Sequence, residues 1–275
     1  MIKEKLYVIK IGGHIIDDEQ KLSSFLKEFS QIFGASSHPF RGRGLLVHGG
    51  GKLATKMAAQ LGIEQQMIDG RRITDAETLK VVTMVYAGLI NKNIVAQLQA
   101  NGCNAIGLSG ADGNVIQSQK RGTNSHFGEG IDYGFVGDVD AINTSLLQSL
   151  LQQNMAVVLS PITHDGKGLL LNTNADTIAQ ETAKALSNLY DVELIYSFEK
   201  SGVLLDVNDE TSVITTLQPT YYKELKDKQL IFAGMIPKLD NAFEAINSGV
   251  KKVIIGKAEE LQQLINCKNG TTIVH

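Results

Sequence analysis

The chain has 275 residues, a formal net charge of −3 at pH 7 and a pI near 6.1. This length suffices for one large α/β domain or for two lobes that share a sheet. The balanced charge and the lack of a basic stripe argue against a nucleic-acid partner, and two distant cysteines and six histidines offer no disulfide framework or metal-ligand spacing. Neither a leader nor an apolar run of transmembrane length is evident, so we expect a soluble cytoplasmic protein without a membrane partner.

The first predicted element is an apolar strand over residues 6–11, which is followed by two glycines. Its hydrophobicity is nearly continuous, which is typical of a strand buried on both faces of a parallel sheet. Lys10 places an ammonium group at the carboxyl end of this strand, the edge at which open α/β sheets bind ligands. Either the ammonium group meets an anion there, or the side chain extends into solvent. An amphipathic helix over residues 19–33 follows.

A second strand, residues 44–47, runs into three glycines and then a helical pattern. Glycines before a helix N-terminus let backbone N–H groups approach an anion, and the helix dipole favours negative charge. Gly49 and Gly50 are therefore candidates for binding phosphate or carboxylate, with a plain glycine-rich turn as the alternative. The segment is not a Walker A loop, because Leu53 stands where Ser or Thr is required, and it lacks the spacing of a dinucleotide fingerprint.

Two arginines precede a long helical pattern over residues 75–100. Thr74 and Glu77 have the spacing of a capping box at its start. With a rise of about 1.5 Å per residue the helix would be roughly 39 Å long, more than one lobe needs, so we expect a kink or an intersubunit contact. Arg71 or Arg72 could bind a carboxylate through two hydrogen bonds; a solvated pair is the alternative.

Two polar segments in the middle of the chain are further candidates for a site. Residues 119–133 carry Lys120 and Arg121 and are predicted to form a mobile loop, with a flap over a site as the alternative. A β-hairpin around residues 165–167 then leads to a junction between a strand and a helix. Helix capping explains only one of the three polar residues at that junction. They are Asn172, Asn174 and Asp176.

Lys238 breaks a local rule at the start of a later helix. Pro237 suits the first turn of a helix, whereas a cation in that turn opposes the helix dipole. Such a conflict more often marks a functional site than an accident. Strands and helices alternate along the whole chain, which predicts an α/β fold, a three-layer αβα sandwich around a mainly parallel open sheet.

Five of these motifs together resemble those of the N-acetylglutamate kinases, which belong to the amino acid kinase superfamily. They occur in the order and spacing of that family over nearly the whole chain, whereas each motif alone is a weak signal. The motifs lie at residues 10–13, 47–51, 70–74, 172–176 and 234–238. The resemblance implies the amino acid kinase fold with two lobes: residues 1–173 for acyl-amino-acid binding and dimerisation, and residues 174–275 for nucleotide binding.

The resemblance also implies a reaction: ATP-dependent phosphorylation of the side-chain carboxylate of N-acetyl-L-glutamate, in arginine biosynthesis. Lys10 and Lys238 would stabilise the transferring phosphoryl group and Asp176 would orient both ammonium groups. The phosphates would hold Mg²⁺, because no protein carboxylate cluster is evident and no metal ligand is expected. The expected substrate-binding residues are Gly49, Gly50, Arg72 and Asn172. The expected nucleotide-binding residues are Gly12, Gly13, Glu199, Lys200, Ser201, Gly202, Val203, Leu204, Gly234 and Met235.

Three departures from the family pattern concern the substrates. Lys52 follows the glycines where the family usually has proline. Phe198 and Glu199 replace a small polar residue and an aspartate in the nucleotide segment. Lys120 and Arg121 add positive charge near the expected acyl side, which favours an acyl group with its own carboxylate, so N-succinyl-L-glutamate is a competing substrate.

Other hypotheses concern the class of protein and its assembly. A non-catalytic amino-acid sensor would keep the fold without turnover, yet Lys10, Asp176 and Lys238 are all present. A dehydrogenase would need a dinucleotide fingerprint and a ribose-binding acid, which the sequence lacks. Arginine-inhibited family members carry an extra N-terminal helix, whereas here the first strand begins a few residues after Met1. We therefore expect a homodimer with little inhibition by arginine.

Overall fold

Parallel pairing of buried apolar strands builds the central sheet of the computed structural model, which describes residues 3–34, 42–68, 71–123, 130–231 and 235–275. Its eight strands, in spatial order, are β12 (Thr216–Leu217), β14 (Thr271–Ile273), β13 (Lys252–Lys257), β11 (Asp191–Phe198), β1 (Lys5–Ile11), β2 (Arg43–His48), β8 (Ala156–Leu159) and β5 (Ala105–Leu108). Neighbouring strands are parallel except for the pair β13 and β14. The predicted mainly parallel sheet is confirmed.

Helices cover both faces of this sheet. The helices on one face are α6 (Thr144–Gln152), α7 (Ala175–Leu186), α8 (Pro219–Asp227) and α9 (Ile236–Asn247). Those on the other face are α1 (Gly13–Ile16), α2 (Glu19–Phe33), α3 (Gly51–Gln60), α4 (Ala76–Thr83), α5 (Asn91–Ala100) and α10 (Leu261–Ile265). The predicted three-layer arrangement is therefore confirmed.

Strand β1 shows why its sequence does not alternate between apolar and polar residues. Leu6 and Val8 belong to the hydrophobic core on one face, and Tyr7 and Ile9 to the core on the other. All four side chains are buried. A central parallel strand needs apolar residues on both faces, because helices cover both of them.

The long helix predicted over residues 75–100 contains a π-helical segment, Met84–Ile90, between α4 and α5. Tyr86 and Ile90 of this segment are buried, whereas Met84 and Leu89 are 57% and 54% exposed. By length and composition alone, Ala76–Ala100 could cross a membrane, yet Lys80, Asn91 and Lys92 interrupt its apolar residues. Its most apolar window is 44% buried within the protein, which also fits a core helix.

Two smaller sheets lie at the carboxyl end of the central sheet's strands and carry predicted site residues. The first contains β6 (Ile116–Lys120), β7 (Gly137–Ile142), β9 (Ile162–His164) and β10 (Leu170–Asn172), and the second contains β3 (Met67–Ile68) and β4 (Arg71–Arg72). β9 and β10 are antiparallel, so the predicted hairpin around residues 165–167 is confirmed. Isolated bridges join Thr74 to Gly134 and Val136 to Asn172.

The start of α4 differs from the prediction. The residue that caps this helix is Asp75, whose Oδ1 accepts a hydrogen bond from the backbone N–H of Thr78 at 2.7 Å. Thr74 is instead fully buried, and its Oγ1 accepts a hydrogen bond from Nδ2 of Asn172 at 3.0 Å. Aspartate caps a helix as well as threonine does, which leaves Thr74 to bind a side chain of the site. The predicted capping box at residues 74–77 is wrong.

Candidate active site

Two charged side chains from distant parts of the chain meet at the carboxyl end of β1. Lys10 Nζ lies 2.8 Å from Asp176 Oδ1, and the two side chains are 12% and 27% exposed. Asp176 lies in the first turn of α7, after the capping residue Asn174, where the helix dipole favours a negative charge. The ammonium group of Lys10 therefore has an anionic partner rather than a solvent-exposed end.

Lys238 of α9 joins this pair. Its Nζ lies 3.9 Å from the centroid of the Phe198 ring, a cation–π contact. Burial lowers the pKa of Lys238; the negative charge of Asp176 opposes this change and the positive charge of Lys10 adds to it. Lys10, Asp176 and Lys238 thus form one cluster of charges, which we call the lysine–aspartate cluster.

Glycines bring the backbone close to this cluster. A Cβ atom added at Gly12 would lie 3.7 Å from Lys10 Nζ. Gly50 precedes α3 with a φ of 143° and a ψ of 19°, a conformation that residues with side chains rarely adopt. A Cβ atom there would also overlap Cδ1 of Ile90. Both the backbone conformation and the available space therefore require glycine at position 50.

Arg72 is held beside the start of α3 by three neighbours. Its Nη2 donates hydrogen bonds to the carbonyl oxygen of Gly51 at 3.0 Å and to Oγ1 of Thr55 at 2.8 Å, and its Nη1 donates to Oε1 of Gln65. These contacts fix the guanidinium group, which is half-buried. Asn172, at the end of β10, is fixed in turn by its hydrogen bond to Thr74.

These groups line a cavity of about 650 Å³. Small-molecule sites typically have volumes of about 300–1,000 Å³, so a substrate of modest size fits. The cavity brings together all predicted catalytic and substrate-binding residues and two of the predicted nucleotide-binding glycines. They are Lys10, Asp176, Lys238, Gly49, Gly50, Arg72, Asn172, Gly12 and Gly13.

The other predicted nucleotide-binding residues lie elsewhere. Residues 199–204 and Met235 do not line this cavity, and Gly234 is outside the described residues. Lys200 Nζ lies 2.8 Å from Oε1 of Glu210, and Ser201 Oγ donates to Oε2 of the same residue at 2.8 Å. Val203 is 1% exposed. The lining of the cavity reaches Phe198 and does not include the six residues after it. The role of this segment in nucleotide binding stays a prediction.

Several lining residues were not singled out from the sequence as parts of a site. Tyr196 donates a hydrogen bond through its hydroxyl to the backbone oxygen of Asp176 at 3.4 Å. Burial, and then the charge of Asp176, raise the pKa of Tyr196 well above its usual value, so the phenol stays protonated. The available signal in the sequence was its position near the carboxyl end of an apolar strand, β11. Other such residues are Tyr133, Thr173, Asp240 and Asn241.

Arg121, from the predicted loop or flap, also lines the cavity. Its Nε lies 3.1 Å from Oδ1 of Asp138, and its guanidinium carbon lies 5.5 Å from the centroid of the Tyr133 ring. Lys120 ends β6 and lies over the ring of Phe135 at 5.3 Å. Of the two basic residues, Arg121 is thus the one that reaches the cavity.

The cavity combines cations and glycine backbone with few anionic groups, a composition that suits phosphates and carboxylates. Within the described ranges, no group of three His, Cys, Asp or Glu side chains is placed to hold a metal ion. Such a site can bind and polarise a phosphoryl group, which is the requirement for a phosphotransferase. The chain belongs to the amino acid kinase family, whose sequence profile it matches over residues 5–257.

Individual relatives narrow this class. The chain is 57% identical to the acetylglutamate kinase of Cytophaga hutchinsonii, over 96% of this chain and 95% of the relative. It is 56% identical to the acetylglutamate kinase of Phocaeicola vulgatus, over 99% of each chain. The structure of a carbamate kinase from Giardia lamblia superposes with a TM-score of 0.70 over 99% of this chain and 98% of the other, at 15% identity. This last likeness concerns the fold alone. The family and fold inferred from the five motifs are confirmed.

Proposed function

We propose that this kinase transfers the γ-phosphoryl group of ATP to the side-chain carboxylate of N-acetyl-L-glutamate, a reaction of arginine biosynthesis. The observation that carries the proposal is the lysine–aspartate cluster in one cavity with glycines 12, 13, 49 and 50. Relatives that are 54–57% identical over almost the whole chain and are named acetylglutamate kinase support the choice of substrate.

The chemistry needs charge stabilisation rather than a general base. A carboxylate is ionised near neutral pH, so one of its oxygens attacks the γ-phosphorus directly while the bond to the β–γ bridging oxygen breaks and ADP leaves. Lys10 and Lys238 offset the negative charge that develops on the transferring group and on the leaving oxygen. Asp176 keeps Lys10 in place through the 2.8 Å ion pair. Loss of one preorganised donor typically lowers kcat by about 10²–10³-fold.

Arg72 and Asn172 bind the acyl-glutamate. Gly51, Thr55 and Gln65 fix the guanidinium group of Arg72, so its remaining N–H donors are oriented in advance for the α-carboxylate. Asn172 uses Nδ2 for Thr74, which leaves Oδ1 to accept a hydrogen bond from the N-acyl amide.

ATP enters as the complex with Mg²⁺, and the protein binds the phosphates through cations and glycine N–H groups. This donor set fits a phosphate chain, and Mg²⁺ would be held mainly by the phosphates. Residues 199–204 and 234–235 bind the nucleoside part. In this assignment residues 174–275 form the nucleotide lobe and residues 1–173 the acyl-glutamate lobe.

Trapping of the acyl phosphate tests the reaction. Hydroxylamine converts an acyl phosphate to a hydroxamate, so N-acetyl-L-glutamate, ATP and Mg²⁺ should give hydroxamate and ADP in equal amounts. Lys10→Ala should lower the rate by at least about 100-fold. Lys21→Ala is the matched control, because Lys21 forms an exposed ion pair with Glu259. ADP release without hydroxamate, or an active Lys10→Ala variant, would contradict the proposal.

N-succinyl-L-glutamate is the second candidate substrate, and the position of Arg121 favours it. The side chain of Arg121 is 9% exposed and lines the cavity, so it can bind the additional carboxylate of a succinyl group. Asp138 already pairs with this guanidinium group, so less of its positive charge is available to bind a substrate carboxylate. N-succinyl-L-glutamate is therefore the second candidate.

Comparison of kcat/KM for the two acyl-glutamates decides between them. If the succinyl compound is the better substrate, Arg121→Met should lower its kcat/KM by about tenfold or more, the usual effect of losing a charge-assisted hydrogen bond. The value for the acetyl compound should change by less than about threefold. Lys120→Met is the control and should change neither. A strong preference of the unmodified enzyme for the acetyl compound would exclude the succinyl hypothesis.

The enzyme is a cytoplasmic homodimer. Its subunit interface is formed by the long helix Ala76–Ala100. Met84 and Leu89 are large apolar side chains that are more than half exposed on this helix, and a second copy would cover them. Light scattering should give twice the chain mass of 29.8 kDa. A Met84→Lys and Leu89→Lys double variant should be monomeric; a double variant that stays dimeric would place the interface elsewhere.

A further inference from the structure

His48 is a buried histidine that contacts the glycine loop, residues 49–51, from the side of the core. It ends β2 and is 0% exposed. Its Nδ1 lies 2.8 Å from the carbonyl oxygen of Gly49. Because a carbonyl oxygen only accepts, Nδ1 must carry the hydrogen. Burial lowers the pKa of His48 to about 4, so the ring is neutral near pH 7 and its Nε2 is an acceptor.

Asn91 supplies the matching donor. It is the first residue of α5 and is 0% exposed. Its Nδ2 lies 3.3 Å from His48 Nε2 and donates a second hydrogen bond to the carbonyl oxygen of Val158 at 3.1 Å. Its Oδ1 accepts from Lys92 Nζ at 3.2 Å. Both N–H groups of the amide are therefore used, which fixes the orientation of Asn91 and the tautomer of His48.

The surrounding fold makes room for this amide. A Cβ atom at Gly107 in β5 would overlap Oδ1 of Asn91, so only glycine admits the side chain there. The π-helical segment Met84–Ile90 ends immediately before Asn91, and its last residue, Ile90, lies against Gly50. Two consecutive residues therefore contact the glycine loop: Ile90 packs on Gly50 directly, and Asn91 acts through its hydrogen bond to His48.

The hydrogen bond from His48 fixes the direction of the peptide group between Gly49 and Gly50. All peptide bonds of the described residues are trans, and in a planar trans peptide the C=O and N–H groups point in opposite directions. His48 holds the carbonyl of Gly49 toward the core, so the N–H of Gly50 points away from the core, toward the cavity that Gly50 lines.

We propose that His48 and Asn91 are positioning residues that fix the peptide between Gly49 and Gly50, so that the N–H of Gly50 donates to the phosphate or the attacking carboxylate. This inference rests on the proposed phosphoryl transfer and adds to it the groups that preorganise one donor. Preorganisation matters because a donor that is already oriented needs no rearrangement when charge develops.

A measurement on the unmodified protein tests the hydrogen-bond assignment independently of activity. In ¹⁵N-histidine-labelled protein, His48 should carry its proton on Nδ1 and none on Nε2 from about pH 6 to pH 8. The signal is assigned through its loss in His48→Asn. A proton on Nε2, or a charged ring at pH 6, would overturn the proposal.

Two substitutions at the same position separate positioning from packing. The amide nitrogen of His48→Asn can occupy the place of Nδ1 and still donate to Gly49, whereas His48→Leu removes donor and acceptor. In the hydroxamate assay His48→Leu should lower kcat by about 10- to 100-fold and change KM for both substrates less, by up to about threefold, because an oriented donor contributes most where negative charge develops in the transition state. His48→Asn should restore most of kcat. Equal losses in the two variants would overturn the proposal.

Control variants keep the test decisive if His48→Leu folds poorly. Gly107→Ala should displace Asn91 and lower kcat in the same direction without altering the loop itself. Leu98→Ala removes a fully buried side chain of α5 and should leave kcat unchanged at a temperature where it is folded. If Leu98→Ala lowers kcat as much as Gly107→Ala, His48 and Asn91 affect activity only through the stability of the protein, and the proposal is overturned. A failure of the proposed function would instead appear as an unmodified protein without hydroxamate formation.

Discussion

Gly50→Ala adds one methyl group where both the backbone and the surroundings are set for glycine. Holding alanine at a φ of 143° costs about 1–3 kcal/mol. The methyl group would also overlap Cδ1 of Ile90 and lie 3.4 Å from ring carbons of Tyr86, and both neighbours are buried. Overpacking of this kind typically costs a further 1–3 kcal/mol or so. We therefore expect the free energy of unfolding to fall by about 2–6 kcal/mol.

Urea unfolding followed by far-UV circular dichroism measures this change, since the chain has no tryptophan. Gly62→Ala is the matched control: Gly62 also has a positive φ, 71°, but no atom lies within 4 Å of an added Cβ. Its free energy of unfolding should fall only by the cost of holding alanine in a left-handed conformation, about 1–2 kcal/mol. If Gly50→Ala destabilises the protein no more than Gly62→Ala, Ile90 and Tyr86 do not crowd position 50 and the expectation is refuted.

Three further predictions concern the lysine–aspartate cluster, the aromatic ring that packs on it and the buried histidine. Asp176→Asn should lower kcat by about 100-fold in the hydroxamate assay, because Lys10 loses its 2.8 Å ion pair. Phe198→Leu removes the ring beneath Lys238, a contact of about 0.5–2 kcal/mol, and should lower kcat/KM by about 2- to 30-fold; an unchanged value would exclude a role for the ring. The pKa of His48 is about 4 in the folded protein against an ordinary 6.5, so between these values the unfolded chain binds a proton that the folded chain does not. Stability should therefore fall as pH drops from 6.5 to 4, by up to about 3 kcal/mol from this group, and a urea series in His48→Asn should show a shallower fall.

The sequence was sufficient for the sheet and for most of the cavity because both depend on strong local signals. Continuous apolar strands that end in lysine or glycine predict a parallel sheet with polar groups at its carboxyl edge. Lys10 and Gly49 follow that rule. Lys238 was found by a different signal, a cation in the first turn of a helix, and the negative charge of Asp176 offsets part of the cost of burying it.

Other features had no local signal. The π-helical segment Met84–Ile90 packs against Gly50 through Tyr86 and Ile90, and its sequence has the same apolar spacing as an ordinary helix. The choice of Asp75 over Thr74 as the helix cap depends on Asn172, which is distant in sequence and binds Thr74. Tyr133 lines the cavity from the end of a polar segment predicted as a mobile loop, with a flap over a site as the alternative, and no local pattern distinguishes the two.

The position of β1 explains why residues so far apart in sequence meet at one site. β1 lies between β2 and β11, and both neighbours are parallel to it. In the pairing registers Lys10 lies beside Val47 on one side and Tyr196 on the other. Strands from the first and the last parts of the chain therefore end together at β1, where the order of strands reverses direction. Open α/β sheets bind ligands at such a switch point, so the chain's topology itself places a lysine at the edge that a phosphoryl group would occupy.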